Sequence, residues 1–451
     1  MLGLLQEYIT ELSKYVITIC MAFYTFECFI VFSPGIKDKS GIYFRQSFWL
    51  FVIQLVCFTD LAVESRNKDY IFFYAFVQVF LFAALFLVKM IYENCNRLLL
   101  NNMCLFLGVG FCMISRLSFQ KALKQYVIAL ASLVIAMFLP YLLNRFTFWK
   151  KLTWFYGALG TCLLSIVLIL GEVTHGSKIS FTIQEITFQP SEFVKIIFIF
   201  FLAAALCENT SLTRVAATAV LAGIQVIVLV ISKDLGSALI FFIAFLFMVF
   251  VATRNYWYLS AGILGGTLSA VAAYHIFDHI KVRVLAWRDP WSYIDNQGYQ
   301  ITQSLFAIGS GNWFGMGLYQ GDPGAIPYVD ADFIFSSICE ELGVIFGICL
   351  ILVCLSCFVM MMDIAVRQKD TFYQLIAYGL GIIYIFQIFL TIGGGIKFIP
   401  LTGVTLPFVS YGGSSCLTTM ILFFVIQSLS IRRKKEGEKR LVRKKKAGTQ
   451  S

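Results

Sequence analysis

Thirteen stretches of this chain stay apolar for about twenty residues each, the length a helix needs to cross the hydrocarbon layer of a membrane. They lie near 13–33, 46–64, 70–92, 98–116, 126–144, 152–171, 193–208, 213–232, 235–253, 256–276, 335–362, 372–393 and 404–430. No water reaches a backbone at that depth, so a spanning segment must satisfy its own N–H and C=O groups. Barrel strands would be about ten residues long and alternate in polarity; these runs are longer and continuous. A chain that is 59% hydrophobic and 13% charged has more apolar surface than one core can bury. The expected fold is an all-α polytopic membrane protein with about 13 transmembrane helices.

Charge fixes the expected orientation. The formal charge of +10 is concentrated in a C-terminal tail, residues 431–451. After a last span, such a run reads as a cytoplasmic anchor facing anionic lipid headgroups rather than a nucleic-acid site. Counting back, Arg367, Arg254, Arg214, the Arg145/Lys150/Lys151 cluster and Lys37/Lys39 fall on the same side. An odd number of spans then puts the N-terminus outside. The chain starts with Glu7 and Glu11 in place of the basic segment that opens a signal peptide. Arg116, Lys121 and Lys124 come out on the outer side, and an anionic substrate is one reason for cations there.

Most of the thirteen cysteines sit within apolar runs and read as packing residues. His275 and His279 are four apart, but no carboxylate cluster accompanies them, so no metal site is expected. No P-loop or dinucleotide motif is present. The energy for any reaction must arrive with the substrate or from an ion gradient.

The polar residues collect on one expected face. The stretch 277–333 carries Arg283, Trp287-Arg-Asp-Pro-Trp291, Gly298-Tyr-Gln300, Gln303, Ser304, Asp330 and Asp332. It is too rich in aromatic and branched residues to be disordered, and a long structured loop is where function concentrates. Three further breaks join it: 172–192, Lys233-Asp-Leu-Gly236, and Gly393 to Ser415 with its two prolines, Pro400 and Pro407. Non-helical backbone at membrane depth persists only inside protein or beside a polar cavity.

Several of these residues have ordinary explanations. Ser191, beside Pro190, suits a helix N-cap, and so does Asp234. Asp332 at the loop's end suits one as well. Glu192 and Lys195 enter an apolar run one turn apart, which is costly unless they pair or face a polar cavity. Glu340 or Glu341 needs a cation, for which Arg283, Arg288 and Lys397 are candidates.

The motifs Gln189-Pro-Ser-Glu-Phe-Val-Lys195, Lys233-Asp-Leu-Gly236, Trp287 to Trp291, Asp332-Phe-Ile-Phe335, Glu340-Glu-Leu-Gly343, Pro400-Leu-Thr-Gly403 and Leu406 to Ser415 resemble those of the SEDS family, the FtsW, RodA and SpoVE group. The likeness spans about residues 98–430. It implies a ten-helix core preceded by an extension, residues 1–97, with three extra spans, and a large extracytoplasmic loop at 277–333. It implies a peptidoglycan glycosyltransferase serving division, elongation or sporulation. Such an enzyme polymerises lipid II, a disaccharide-pentapeptide on undecaprenyl diphosphate, at the outer face of the plasma membrane, with a class B penicillin-binding protein as partner. The family's essential loop aspartate matches Asp332. The family usually has a His-Thr pair before it, and this chain has Asp330-Ala331.

A sugar hydroxyl is a weak nucleophile that gains from a positioned base, which makes Asp332 the expected catalytic residue. The departing diphosphate needs cations. Arg116, Lys178, Arg283 and Lys397 are expected to supply them, with Glu192, Lys195, Asp234, Gln303, Ser304, Ser410 and Tyr411 as further substrate-binding residues. The chemistry admits a divalent cation, Mg or Mn, and requires no nucleotide. Two other readings use the same features: a lipid II flippase, and a non-catalytic scaffold for the penicillin-binding protein.

Overall fold

The computed structural model describes the backbone of residues 2–36, 38–146, 148–174, 177–183 and 186–448, and the side chains of residues 8–36, 38–146, 148–171, 181 and 188–433. Three long helices come first: α1 (Leu2–Ile30), α2 (Ser40–Ser65) and α3 (Asp69–Ile91). Next are α4 (Arg97–Leu117), α5 (Phe119–Met137), α6 (Leu139–Arg145) and α7 (Thr153–Leu170). A small antiparallel sheet, β1 (Glu172–Thr174), β2 (Ser177–Ile183) and β3 (Ile186–Phe188), links α7 to α8 (Pro190–Leu206). This sheet is the one departure from the all-helical expectation among the described residues. Then come α9 (Leu212–Ile231), α10 (Leu235–Thr253), α11 (Tyr256–Ile276), α12 (Asp278–Arg288), α13 (Tyr299–Gly311), α14 (Ile334–Leu342), α15 (Val344–Val366), α16 (Thr371–Gly395) and α17 (Gly413–Gly448).

Among the described residues, 12 helices are long and apolar enough to cross a membrane. The expected span at 193–208 corresponds to α8, whose 17 residues reach about 26 Å at 1.5 Å per residue. Its far end is tied to the next helix, where Arg214 Nε donates to Ala205 O at 3.2 Å.

One end of the bundle gathers cations. Lys150 Nζ meets Asp370 Oδ2 at 2.5 Å, and Arg367 and Arg433 share the Asp363 carboxylate at 2.7 and 3.6 Å. The polar breaks lie at the opposite end.

The first three helices are built into the bundle. Every residue of α4 from Leu98 to Ser115 is buried, because α2, α3, α5 and α15 enclose it and Tyr24 of α1 reaches it. Two asparagines on α4 are satisfied by these neighbours. Asn102 Oδ1 accepts from Tyr24 Oη at 2.9 Å while its Nδ2 donates to Ser356 Oγ at 2.9 Å. Asn101 Nδ2 donates to Gln46 Oε1 at 3.0 Å. Cys354 and Cys357 form a Cys-x-x-Cys pair on α15, but both are buried free thiols, and Cys357 Sγ accepts from Asn102 Nδ2 at 3.2 Å.

Two expected spans break. The run 335–362 divides at Gly343, whose φ of 90° is open to glycine and strained for other residues. The chain 312–317 enters the break: Val344 N donates to Asn312 O at 3.0 Å and Met316 N to Glu340 O at 2.9 Å. Glu340 and Glu341 therefore sit on the short α14, outside the long span. A Cβ on Gly311 would fall 2.0 Å from Cys339 O, so α13 and α14 touch backbone to backbone there. The run 404–430 becomes helical only at Gly413, and the non-helical segment is 396–412, since α16 continues through Gly393–Gly395.

Candidate functional site

The polar end holds a cavity of about 780 Å³, walled by α5, α8, α12, the start of α10, the chain before and at the start of α13, and residues 401–405 and 411–415. Asp332, Arg283, Asp234, Glu192 and Tyr411 line it. These five expected site residues are scattered over 220 positions of sequence and meet in one space.

Asp332 stands on a turn held from several sides. Its N–H and that of Ala331 both donate to Tyr328 O, at 3.2 and 3.0 Å. Ser410 Oγ donates to Ala331 O at 2.5 Å, and Tyr411 N to Asp330 O at 2.7 Å. The backbone is fixed, yet the carboxyl group accepts no hydrogen bond from the described residues. It does not cap α14: the capping position is Phe333, which makes no side-chain cap bond. Burial raises the Asp332 carboxyl to about 7, Arg283 opposes the rise, and the neighbouring Asp330 charge adds to it.

Arg283 comes from α12 and donates from Nη1 to Leu401 O at 3.0 Å. Burial lowers its proton affinity from the usual value, and the charges of Asp332 and Asp234 pull it back up. Asp234 caps α10 through Ser237 N at 3.1 Å, as expected for an N-cap. Its other oxygen accepts from Ser191 Oγ at 2.9 Å and Gln189 Nε2 at 3.2 Å. Ser191 is therefore not a cap; it bridges to the start of α10, and the residue before Pro190, Gln189, takes the capping position without a side-chain bond.

Glu192 and Lys195 pair at 2.9 Å. Glu192 also accepts from Thr418 Oγ1 at 3.1 Å, and Lys195 donates to Gln387 Oε1 at 2.8 Å. The pair locks α8 to α16 and α17 beneath the cavity. Glu192 reaches the cavity wall; Lys195 does not.

Several expected substrate contacts stand elsewhere. Arg116 donates from Nε to Glu341 Oε1 at 2.9 Å and from Nη2 to Gly321 O at 3.1 Å, with its guanidinium 4.1 Å from the Tyr319 ring centre. It answers the charge of Glu341, in place of Arg283, Arg288 or Lys397. Ser304 Oγ is spent on Ser336 Oγ at 2.5 Å and Gly395 O at 2.7 Å, packing α13 against α14 and α16. Ser410 braces the Asp332 turn. Gln303 and Lys397 lie outside the cavity lining, and the Lys397 carbonyl accepts from Trp287 Nε1 at 3.1 Å. The side chain of Lys178 lies outside the described residues.

Other residues complete the wall: Lys124, Lys233, Asn296, Gln297, Tyr299, Gln300, Thr402, Ser414 and Ser415. Lys233 and Gln300 belong to motifs already singled out in the sequence. Lys124 belongs to the basic group Arg116, Lys121 and Lys124, of which it is the member that reaches the cavity. Among the described residues no three His, Cys, Asp or Glu side chains converge on a point that would hold a metal ion. Of the cavity's carboxylates, Glu192 and Asp234 are engaged by their own partners and Asp332 stands without a second free carboxylate beside it, so the described residues do not supply the ligand set of a resident divalent cation.

A family model described as a cell cycle protein, FtsW/RodA/SpoVE, matches residues 96–435. The match starts at the foot of α4 and leaves α1–α3 outside it. The peptidoglycan glycosyltransferase RodA of Mycobacterium leprae is 32% identical over 402 residues, covering 82% of this chain and 86% of that protein. The probable peptidoglycan glycosyltransferase FtsW of Aliivibrio salmonicida is 30% identical, covering 63% of this chain and 72% of that protein. In fold, the chain is similar to a solved chain from work on a peptidoglycan synthase complex that coordinates polymerization and crosslinking. That likeness has a TM-score of 0.64 at 23% identity, over 75% of this chain and 98% of the other.

Proposed function

This chain belongs to the FtsW/RodA/SpoVE family, and from that premise we propose that it is a peptidoglycan glycosyltransferase that polymerises lipid II with Asp332 as its general base. One observation carries the assignment of the base. Asp332 presents a carboxyl group with no hydrogen-bond partner among the described residues to a cavity of about 780 Å³, with proton affinity raised to about 7. A base works best when its pKa lies near the working pH, and an unengaged carboxyl is free to receive a proton.

In the proposed reaction the acceptor sugar hydroxyl gives its proton to Asp332 as its oxygen attacks the anomeric carbon of the donor. The bond from that carbon to the lipid diphosphate breaks, and the diphosphate departs with the electron pair. Arg283, Lys233 and Lys124 are the cavity cations placed to meet the charge that develops there. Glu192 and Asp234 shape the wall, each fixed by its own partners. The donor supplies the energy through its diphosphate leaving group.

The cation-rich end of the bundle, with Lys150, Arg214, Arg367 and Arg433, supports a cytoplasmic C-terminus by the positive-inside rule. The cavity then opens on the outer face of a bacterial plasma membrane, with the N-terminus also outside. A class B penicillin-binding protein is the proposed partner, since cross-linking must follow polymerisation.

The deciding experiment uses purified full-length protein with lipid II, with and without a class B penicillin-binding protein. Glycan strands from the wild type, lost in Asp332→Asn while lipid II binding persists, support the assignment. Undiminished polymerisation by Asp332→Asn refutes the base. Movement of lipid II across a bilayer without polymer formation would point to a flippase instead.

A further inference from the structure

We propose that Lys121 is a positioning residue for Asp332: it holds Asp330, and through Asp330 the turn that presents Asp332 to the cavity. The inference rests on the reading of Asp332 as the base. Lys121 lies in the first turn of α5, and its Nζ is 2.6 Å from Asp330 Oδ2. Its ammonium also sits 5.5 Å from the centre of the Tyr411 ring, and Tyr411 N donates to Asp330 O at 2.7 Å. Asp330 is thus gripped by side chain from α5 and by main chain from the segment before α17. Neither Lys121 nor Asp330 lines the cavity, so neither is placed to touch substrate.

The position of Lys121 argues for a purpose. A cation in the first turn of a helix sits against the positive end of the helix dipole, and Asp330 offsets that cost. A carboxylate two residues from the base is an electrostatic burden, since its charge favours keeping a proton on Asp332. Lys121 neutralises that charge while using it as a handle.

The groups facing Asp332 are Arg283 from α12, Asp330 on its own turn, and Lys121 behind Asp330. Lys124, Lys233, Glu192 and Asp234 share the cavity. Removing Lys121 uncovers the Asp330 charge and raises the proton affinity of Asp332. Removing the Asp330 carboxylate leaves Lys121 uncompensated and lowers it. A role confined to structure would depress the rate in both variants without moving the profile in opposite directions.

The test measures lipid II polymerisation against pH for the full-length wild type, Lys121→Met, Asp330→Asn and the double variant. The acid limb of the rate profile moves up by about one pH unit in Lys121→Met and down in Asp330→Asn. It returns near the wild-type position in the double variant, and Lys121→Arg retains it. A second measurement needs no activity: the pH dependence of carbodiimide labelling of Asp332, read by peptide mass spectrometry, shifts in the same opposed directions. Limbs and labelling curves that stay fixed, or that move the same way in both single variants, overturn the proposal. An inactive wild type with opposed labelling shifts overturns the polymerase reading and leaves the positioning role intact.

Discussion

Arg116 Nε lies 2.9 Å from Glu341 Oε1, a partner 225 residues away in the chain. Glu341 is fully buried and the Arg116 side chain is only 16% exposed. This pair fastens α14, and with it the turn that bears Asp332, to α4. Removing one member of a buried pair leaves an uncompensated charge, at a cost of about 3–5 kcal/mol. Arg116→Met is expected to lower the thermal unfolding midpoint sharply in detergent, and Arg116→Met with Glu341→Met to recover most of the loss. An unchanged midpoint in the single variant would show that the pair does not hold α14.

Asp332 leads to a pH prediction with a definite sign. The base acts when deprotonated, so the polymerisation rate rises as pH passes through about 7 and falls on the acid side. Asp332→Asn lowers the rate about 100- to 10,000-fold. Stability runs the other way. A carboxyl whose folded-state pKa is raised contributes stability below its unfolded value of about 3.9, and that contribution is lost as pH rises through the folded value. Asp332→Asn therefore unfolds at a higher temperature than the wild type at pH 8, and the advantage fades at pH 5. A rate flat from pH 5.5 to 8.5 would exclude a base that titrates near 7.

The N-terminal helices are expected to be inseparable from the rest. Removing residues 1–92 strips Tyr24, Tyr43 and Gln46 from Asn101 and Asn102 and turns the enclosed face of α4 toward lipid. An interhelical hydrogen bond in a membrane is worth about 0.6–2 kcal/mol, and several are lost together with the packing. The truncated protein should run as aggregate on size-exclusion chromatography in detergent. A monodisperse, active truncation would make the extension a detachable module. Tyr24→Phe, which removes one hydroxyl, should lower the midpoint only slightly.

Chelation separates a resident ion from one that travels with substrate. The described residues offer no ligand cluster, so EDTA should leave the unfolding midpoint unchanged in the absence of lipid II. A fall of several degrees, reversed by added Mg or Mn, would establish a site within the protein.

The motifs that mark the cavity were readable in the sequence because each breaks a hydrophobic run, and such breaks are costly in lipid. That logic located Asp332, Arg283, Asp234, Glu192 and Tyr411. It also marked Arg116, Ser304 and Ser410, which break the same runs but bond to other protein groups, and Lys397, which lies outside the cavity lining. The pattern reports that a polar residue must have a partner, and not whether the partner is substrate or protein. Lys124 shows the converse. It belongs to the same basic group as Arg116, and only the rotation of α5 turns it into the cavity. Ser191 looked like a cap because capping is a local rule; its bond to Asp234 depends on how α8 meets α10.

By itself the sequence determined that this chain crosses a membrane repeatedly as helices, where most of those helices lie, and which face carries the polar breaks. These properties follow from the length and polarity of contiguous segments, and solvent exclusion acts on each segment in turn. The tertiary structure decided which charge answers which: Glu341 to Arg116 rather than Arg283, and Asp330 to Lys121. It also decided that the Asp332 carboxyl is left without a hydrogen-bond partner among the described residues. Pairing between residues hundreds of positions apart depends on helix rotation, tilt and close approach, as at Gly311 and Gly343, and those arise only when all the helices pack together.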